Sequence, residues 1–280
     1  NIGDMANKGV ELELNYIPVN KKNFTWKINL NLTHYKNKIT YLPDEKKTTV
    51  MDGHGGYMNG SRYYGEDLPI NTWYMKRFAG LSEDGLSLWY YTDKETNEEK
   101  TTTTYSTGDF YLCGDPNPDL YGGFGTSITF HGFDLSTQFS YLVGGLTYDY
   151  GYAGMMGNPT ATSVGNRWHK DVLKAWSPEN PSSTIPRWYF NDLNTTGSSD
   201  RFLIDGSYLN LQNIQVGYTL PDSWTSHLKI KNLRLYFVCD NVYYWSKRKG
   251  LDPRRSISGV GTSGKIAPFR TYSGGISLQF

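Results

Sequence analysis

Alternation of apolar and polar side chains is the dominant pattern along this chain, and it is clearest over 24–39. There Phe24, Trp26 and Ile28 occupy every second position, with polar residues between them. A period of two residues predicts a β-strand with one apolar and one polar face. The same pattern predicts further strands at 9–17, 123–131, 133–143, 208–220, 233–245 and 271–280. Weaker strands are predicted at 70–80 and 86–93, which gives about nine in all.

The strand predicted over 208–220 changes phase in its middle. Leu209 and Leu211 share one face, whereas Ile214 and Val216 share the other. One extra residue in an antiparallel strand produces such a switch, so a β-bulge is predicted near 212–213.

The connections between the predicted strands alternate in length. Short ones lie at 18–23, 81–85, 131–132 and 221–232. Long ones lie at 40–69, 94–120, 144–206 and 246–268. Long loops count against a compact soluble domain, whereas membrane barrels have short turns on one side and long loops on the other. The pattern therefore favours an all-β fold: an antiparallel transmembrane β-barrel segment with long extracellular loops.

One alternative stays open at this stage. In a secreted all-β carbohydrate-binding or adhesin module, the polar strand faces would point to bulk solvent instead of a lumen, and alternation alone does not separate the two. The odd strand count indicates that a barrel segment of this kind belongs to a larger barrel. Bacterial single-chain barrels have an even number of strands, and an open sheet edge in lipid would leave backbone groups unpaired. We therefore expect residues 1–280 to be one portion of a larger barrel. The plug domain and the N-terminal strands of that barrel are expected to lie outside these 280 residues.

Composition narrows the functional classes. The 28 basic and 27 acidic residues give a net charge of +1, which offers no reason to expect a nucleic-acid partner. The five histidines form no metal-ligand pair, and neither a GxSxG motif nor a phosphate-binding loop is present. No enzyme activity, cofactor or metal is predicted. Cys113 and Cys239 are interpreted as free thiols.

The segment 144–206 is the best candidate for cargo binding, because aromatic faces stack on sugar rings and neighbouring amides bind hydroxyl groups. The predicted substrate-binding residues are Tyr148, Tyr150, Trp168, Trp176, Trp188 and Tyr189.

Several blocks carry a family resemblance. NIGDMANKGVELELNY, FAGLSEDGLSLWYYTD, GDPNPDLYGGFGTSITFHGFDLSTQFSYLVGG, RFLIDGSYLNLQNIQVGYTLP and the terminal TYSGGISLQF follow one another in this order. Together they resemble the C-terminal part of the barrel in SusC/RagA-like TonB-dependent transporters of Bacteroidota.

The resemblance implies a 22-stranded barrel integral to the outer membrane, filled by a plug domain and energised by the TonB complex. It implies a SusD-like surface lipoprotein as partner and oligosaccharides, or in some systems peptides, as cargo. The last strand resembles an assembly signal and is expected to pair with the first strand of the whole barrel. The residues expected to serve this closure are Tyr272, Ile276, Leu278 and Phe280.

Overall fold

The computed structural model of the chain describes residues 3–161, 165, 167–192, 194, 197–255, 258–260 and 268–280. The strands, in chain order, are β1 (Asp4–Lys21), β2 (Phe24–Tyr41), β3 (Thr49–Met51), β4 (His54–Asn59), β5 (Arg62–Gly65), β6 (Thr72–Lys76), β7 (Phe78–Leu81), β8 (Ser87–Thr92), β9 (Glu99–Thr102), β10 (Phe110–Leu112), β11 (Leu120–Phe130), β12 (Phe133–Val143), β13 (Leu146–Tyr148), β14 (Leu203–Asp205), β15 (Tyr208–Thr219), β16 (Asn232–Ser246) and β17 (Thr271–Gln279). The α-helices are α1 (Tyr150–Met155) and α2 (Asp222–Thr225). Short 3-10 turns lie at Asp44–Lys46, Lys170–Lys174, Asp200–Phe202, Ser226–Leu228 and Pro253–Arg255.

One antiparallel sheet dominates the described part of the chain. Its seven strands follow the order β1-β2-β11-β12-β15-β16-β17, so each strand pairs with the next long strand along the chain. These are the seven strongly alternating segments, and their prediction is confirmed. Several are longer than predicted: β1 and β2 have 18 residues each.

The two weaker strand predictions do not belong to this sheet, which has seven strands and not about nine. The segment 70–80 divides into β6, in a five-stranded sheet ordered β10-β6-β5-β4-β3, and β7, in a three-stranded sheet ordered β7-β8-β9. The segment 86–93 forms β8. All five residues of β6 are buried, so its apolar side chains pack against protein instead of an outer surface.

The connections keep the predicted alternation. Short ones at 22–23, 131–132 and 220–231 lie at one end of the sheet. Long ones at 42–119, 144–207 and 247–270 lie at the other, which we name the long-connection end. The first of these segments contains the two smaller sheets, and the second contains the β13-β14 pair and α1. A core joins the described parts of these two segments, formed by Trp73, Met75, Tyr148, Met156 and Phe202.

The predicted bulge in β15 is present. Leu211 pairs with Phe139 of β12, and Asn213 pairs with the preceding Gln138, so Gln212 is the extra residue. Both cysteines are free thiols, as interpreted from the sequence. In the described ranges no helix is long and apolar enough to cross a membrane.

Candidate functional site

The seven-stranded sheet has one continuous apolar face. Leu14, Leu30, Phe124, Phe139 and Leu211 lie opposite one another on five successive strands. The rings of Phe124 and Phe139 stack with their centroids 4.7 Å apart. Leu14 and Phe124 are exposed and the other three are half-buried, and no other sheet of the described residues pairs or packs across this face. A soluble sandwich would bury such a face, so a continuous exposed apolar surface indicates contact with lipid.

The opposite face is polar in the same register. Asn15, Asn29, Gly125, Gln138 and Asn213 form one row across five strands. The Asn29 amide donates to the Gln138 side chain across Gly125, with an N···O distance of 3.5 Å. A Cβ on Gly125 would lie 2.2 Å from the Gln138 oxygen, so the glycine leaves room for this cross-strand contact. This face is suited to water or to polar cargo.

An ion pair crosses the polar face near the short turns. Arg234 of β16 donates two hydrogen bonds to Asp134 of β12, at 2.9 Å through Nε and 2.6 Å through Nη2. Gly217 of β15 lies between them, and a Cβ there would lie 2.5 Å from both partners. The pair ties three strands together, and it needs a residue without a side chain at position 217.

A cavity opens on the polar face at the long-connection end. Its volume is about 570 Å³, within the range of small-molecule sites. We name it the mouth pocket and define it by its principal side chains, which are Tyr35, Tyr121, Ser140, Tyr208, Gln212 and Arg254. Tyr35 and Tyr121 meet edge to face with ring centroids 6.0 Å apart.

Arg254 holds the 3-10 turn Pro253–Arg255 against the wall of this pocket. Its guanidinium donates to both carboxylate oxygens of Asp252 at 2.8 Å, and to the side-chain oxygens of Asn210 at 2.6 Å and Asn241 at 2.9 Å. Hydrogen bonding to Asp252 raises the pKa of Arg254, so the pair stays ionised and mutually neutralised. Arg254 therefore shapes the pocket without giving it a net charge.

The structure separates the aromatic residues predicted to bind cargo. Tyr148 is 3% exposed and packs in the core, with its ring centroid 5.9 Å from that of Trp73. Tyr150 is partly exposed beside it. Trp176 covers the turn at Gly85, where an added Cβ would lie 2.3 Å from the indole. Tyr148 thus lies in a packing position and Trp176 is half-buried, whereas Tyr150 is exposed.

The other three predicted aromatics lie together. The indole N–H groups of Trp168 and Trp188 both donate to the carbonyl oxygen of Gly157, at 3.1 and 3.2 Å. Their rings meet edge to face at 5.5 Å, and Tyr189 beside them is 65% exposed. We name Trp168, Trp188 and Tyr189 the aromatic ledge. Trp188 and Tyr189 are exposed on it, Trp168 is half-buried, and both indoles share the same acceptor.

Sequence reasoning missed the mouth pocket. Tyr35, Tyr121 and Tyr208 occupy polar-face positions of β2, β11 and β15 at their long-connection ends. The signal in the sequence is a large aromatic residue on the face of a strand whose other residues, two positions away, are polar or glycine. Gln212 carried a second signal, since its bulge was predicted and a bulge re-aims a side chain.

Comparison with known proteins agrees with this geometry, although no family model matches. The chain is 29% identical over its whole length to TonB-dependent receptor P3 of Formosa agariphila and 27% identical to TonB-dependent receptor SusC of Bacteroides thetaiotaomicron. It covers 29% and 27% of those proteins, so it spans less than a third of their length.

Solved structures show the same fold. The RagAB peptide importer in its closed-closed state matches with a TM-score of 0.81 and 25% identity, over 100% of this chain and 30% of that one. The match to the open-open state has a TM-score of 0.78. The relatives are named as receptors and transporters, not as enzymes. With one apolar and one polar face on its main sheet, the chain is similar in sequence and fold to part of the β-barrel of SusC-like TonB-dependent transporters of the outer membrane.

Proposed function

We propose that the protein to which this chain contributes imports an oligosaccharide across the outer membrane, powered through TonB and closed from outside by a SusD-like lipoprotein. The observation that carries the proposal is the in-register division of the seven-stranded sheet into an apolar and a polar face. Such a wall separates lipid from an aqueous path. The mouth pocket lies on the polar face, where cargo entering between the long segments would meet it.

The cargo class is argued from the side chains that the path presents. Tyrosine rings and uncharged amides line the mouth pocket, and the aromatic ledge offers indole and phenol surfaces among the long segments. Aromatic faces with nearby amides suit sugar rings and their hydroxyl groups. A peptide is the second candidate, favoured by the structural likeness to a complex described as a peptide importer.

We further propose that residues 1–280 form the C-terminal portion of the barrel, with a plug and more strands supplied by the rest of the protein. Within the described residues, β1 and β17 each have a neighbour on one side only. Open edges in lipid leave backbone groups unpaired at a cost of several kcal/mol each. The four side chains expected to serve barrel closure are exposed, with exposed fractions of 61% for Tyr272, 66% for Ile276, 50% for Leu278 and 73% for Phe280.

The test uses the full-length protein in its own host or a close relative. Unheated and heated samples of the outer-membrane fraction are compared by SDS electrophoresis, and a barrel is expected to migrate differently before heating. Growth of a gene-deletion strain on separate neutral polysaccharides and on protein digests then identifies the cargo class. Loss of growth on a polysaccharide supports the proposal, whereas loss on peptides alone selects the second candidate.

Recovery of the full-length protein as a soluble monomer would remove the transport proposal altogether. Deletion of 155–200, which includes the ledge, is expected to weaken cargo capture while the heat-modifiable band persists. Unchanged capture by that variant would show that the ledge has no part in binding.

A further inference from the structure

We propose that the mouth pocket binds an uncharged, hydroxyl-bearing unit of the cargo, and that Gln212 is the residue that recognises it. The inference rests on the proposed import function and assigns it a defined binding site. It follows from three features of the structure: the bulge in β15, the charge balance of the pocket, and its aromatic lining.

Gln212 lies at the bulge of β15 and lines the pocket. With period two it follows Asn210 onto the polar face. Because Leu211 pairs with Phe139 and Asn213 with Gln138, Gln212 has no partner residue on β12. The side chain is exposed, lines the cavity, and has no hydrogen-bond partner among the described residues. A free amide offers both a donor and an acceptor, which suits a sugar hydroxyl.

The charge balance argues for an uncharged ligand. Among the described residues that line the pocket, Arg254 is the one that is charged, and Asp252 neutralises it through two hydrogen bonds. Its Nη1 donates to the side-chain oxygens of Asn210 and Asn241. An anionic sugar would find no free cation here, and a charged peptide terminus would lose hydration without a partner.

The aromatic lining supplies the apolar contact that a sugar ring needs. Tyr35 and Tyr121 come from adjacent strands, and Tyr208 comes from the strand that carries the bulge. Their rings line the cavity, and Ser140 and Gln212 add polar groups to the same lining. Apolar walls with few, well-placed polar groups are typical of small-ligand sites.

The experiment measures binding to purified full-length transporter in detergent by isothermal titration. The probes are maltohexaose, cellohexaose and xylohexaose as neutral chains, hexagalacturonate as an anionic chain, and hexa-alanine as a peptide. The wild type is expected to bind at least one neutral chain more tightly than the anionic chain and the peptide. Gln212→Leu is expected to weaken that binding about tenfold, the effect of one lost hydrogen bond in a desolvated site.

Gln215→Leu is the matched control, since Gln215 lies on the same face of β15 outside the pocket. It should leave binding unchanged. The proposal is overturned by three results: no neutral probe binds, only hexagalacturonate or the peptide binds, or both variants have equal effects. A heat-modifiable outer-membrane band in these samples would leave the transport proposal standing even then, so the two failures are distinguishable.

Discussion

Lys76 of β6 is a buried cation held by backbone oxygens, and its replacement gives the sharpest prediction about the long segments. It is 4% exposed, and its ammonium donates to the carbonyls of Tyr105 at 2.7 Å, Ser106 at 3.2 Å and Gly108 at 2.5 Å. The ring of Tyr105 lies 4.7 Å from the same nitrogen, and that of Phe110 lies 5.0 Å away. Lys76→Met keeps the length of the side chain and removes all three donors.

The expected cost follows from these contacts. Hydrogen bonds to a charged group contribute about 1.5–3 kcal/mol each, which sets an upper bound of several kcal/mol for the three. The cost of burying the charge offsets part of this contribution. Burial lowers the pKa of Lys76, which shows that the charged form is disfavoured there, although nearby Asp109 opposes the shift. We expect a net loss of about 3 kcal/mol, typical of removing one partner from a buried charged cluster. That corresponds to about a 150-fold rise in opening of the 104–108 turn.

Hydrogen exchange with mass spectrometry on the full-length transporter measures this opening in peptides that cover 101–110. Lys94→Met is the control, because it makes the same substitution at an exposed lysine. Exchange of 101–110 within threefold of wild type in Lys76→Met, or no greater than in the control, would refute the reasoning.

Two further predictions concern the wall and a surface hairpin. Gly217→Ala should separate Asp134 from Arg234. The coupling energy between these two residues, measured by a double-mutant cycle with denaturant unfolding in detergent, should then fall from about 1–3 kcal/mol to near zero. Persistent coupling would show that the pair does not need a glycine at position 217. Hydrogen bonds from Lys100 and from two backbone N–H groups lower the pKa of Asp93 to about 2. A carboxyl with a lowered pKa stabilises the fold above its usual titration range, so the protection of the β8–β9 turn against exchange, corrected for the intrinsic rate at each pH, should fall as pH falls from about 4 to 2, and Asp93→Asn should abolish that loss.

The main sheet could be predicted because its information is local. Each of its strands carries a period-two pattern, and in β15 the phase switch at Gln212 marks the bulge. The strands in 70–93 were assigned to the wrong sheet for the opposite reason. In β6 every side chain is buried, so alternation is lost, and membership in one sheet or another depends on partners far along the chain.

The site was harder to predict because its geometry joins distant segments. The ledge forms only because Trp168 and Trp188 share the carbonyl of Gly157, a contact that no spacing in the sequence specifies. Tyr148 has the same residue type as a cargo-binding tyrosine, yet the core formed by the long segments buries it. Residue type indicated the chemistry, while tertiary packing decided which rings stay accessible.

The central claim is that adjacent residues of one strand face lipid and water in turn, and thiol labelling in the outer membrane tests it most directly. Gln215→Cys and Val216→Cys are made separately in full-length transporter with both native cysteines replaced by alanine. A charged, water-soluble thiol reagent is expected to modify position 215 and spare position 216, while a lipid-borne quencher should quench a fluorophore only at 216. Equal labelling of the two positions by the water-soluble reagent, with no quenching by lipid, would contradict the account.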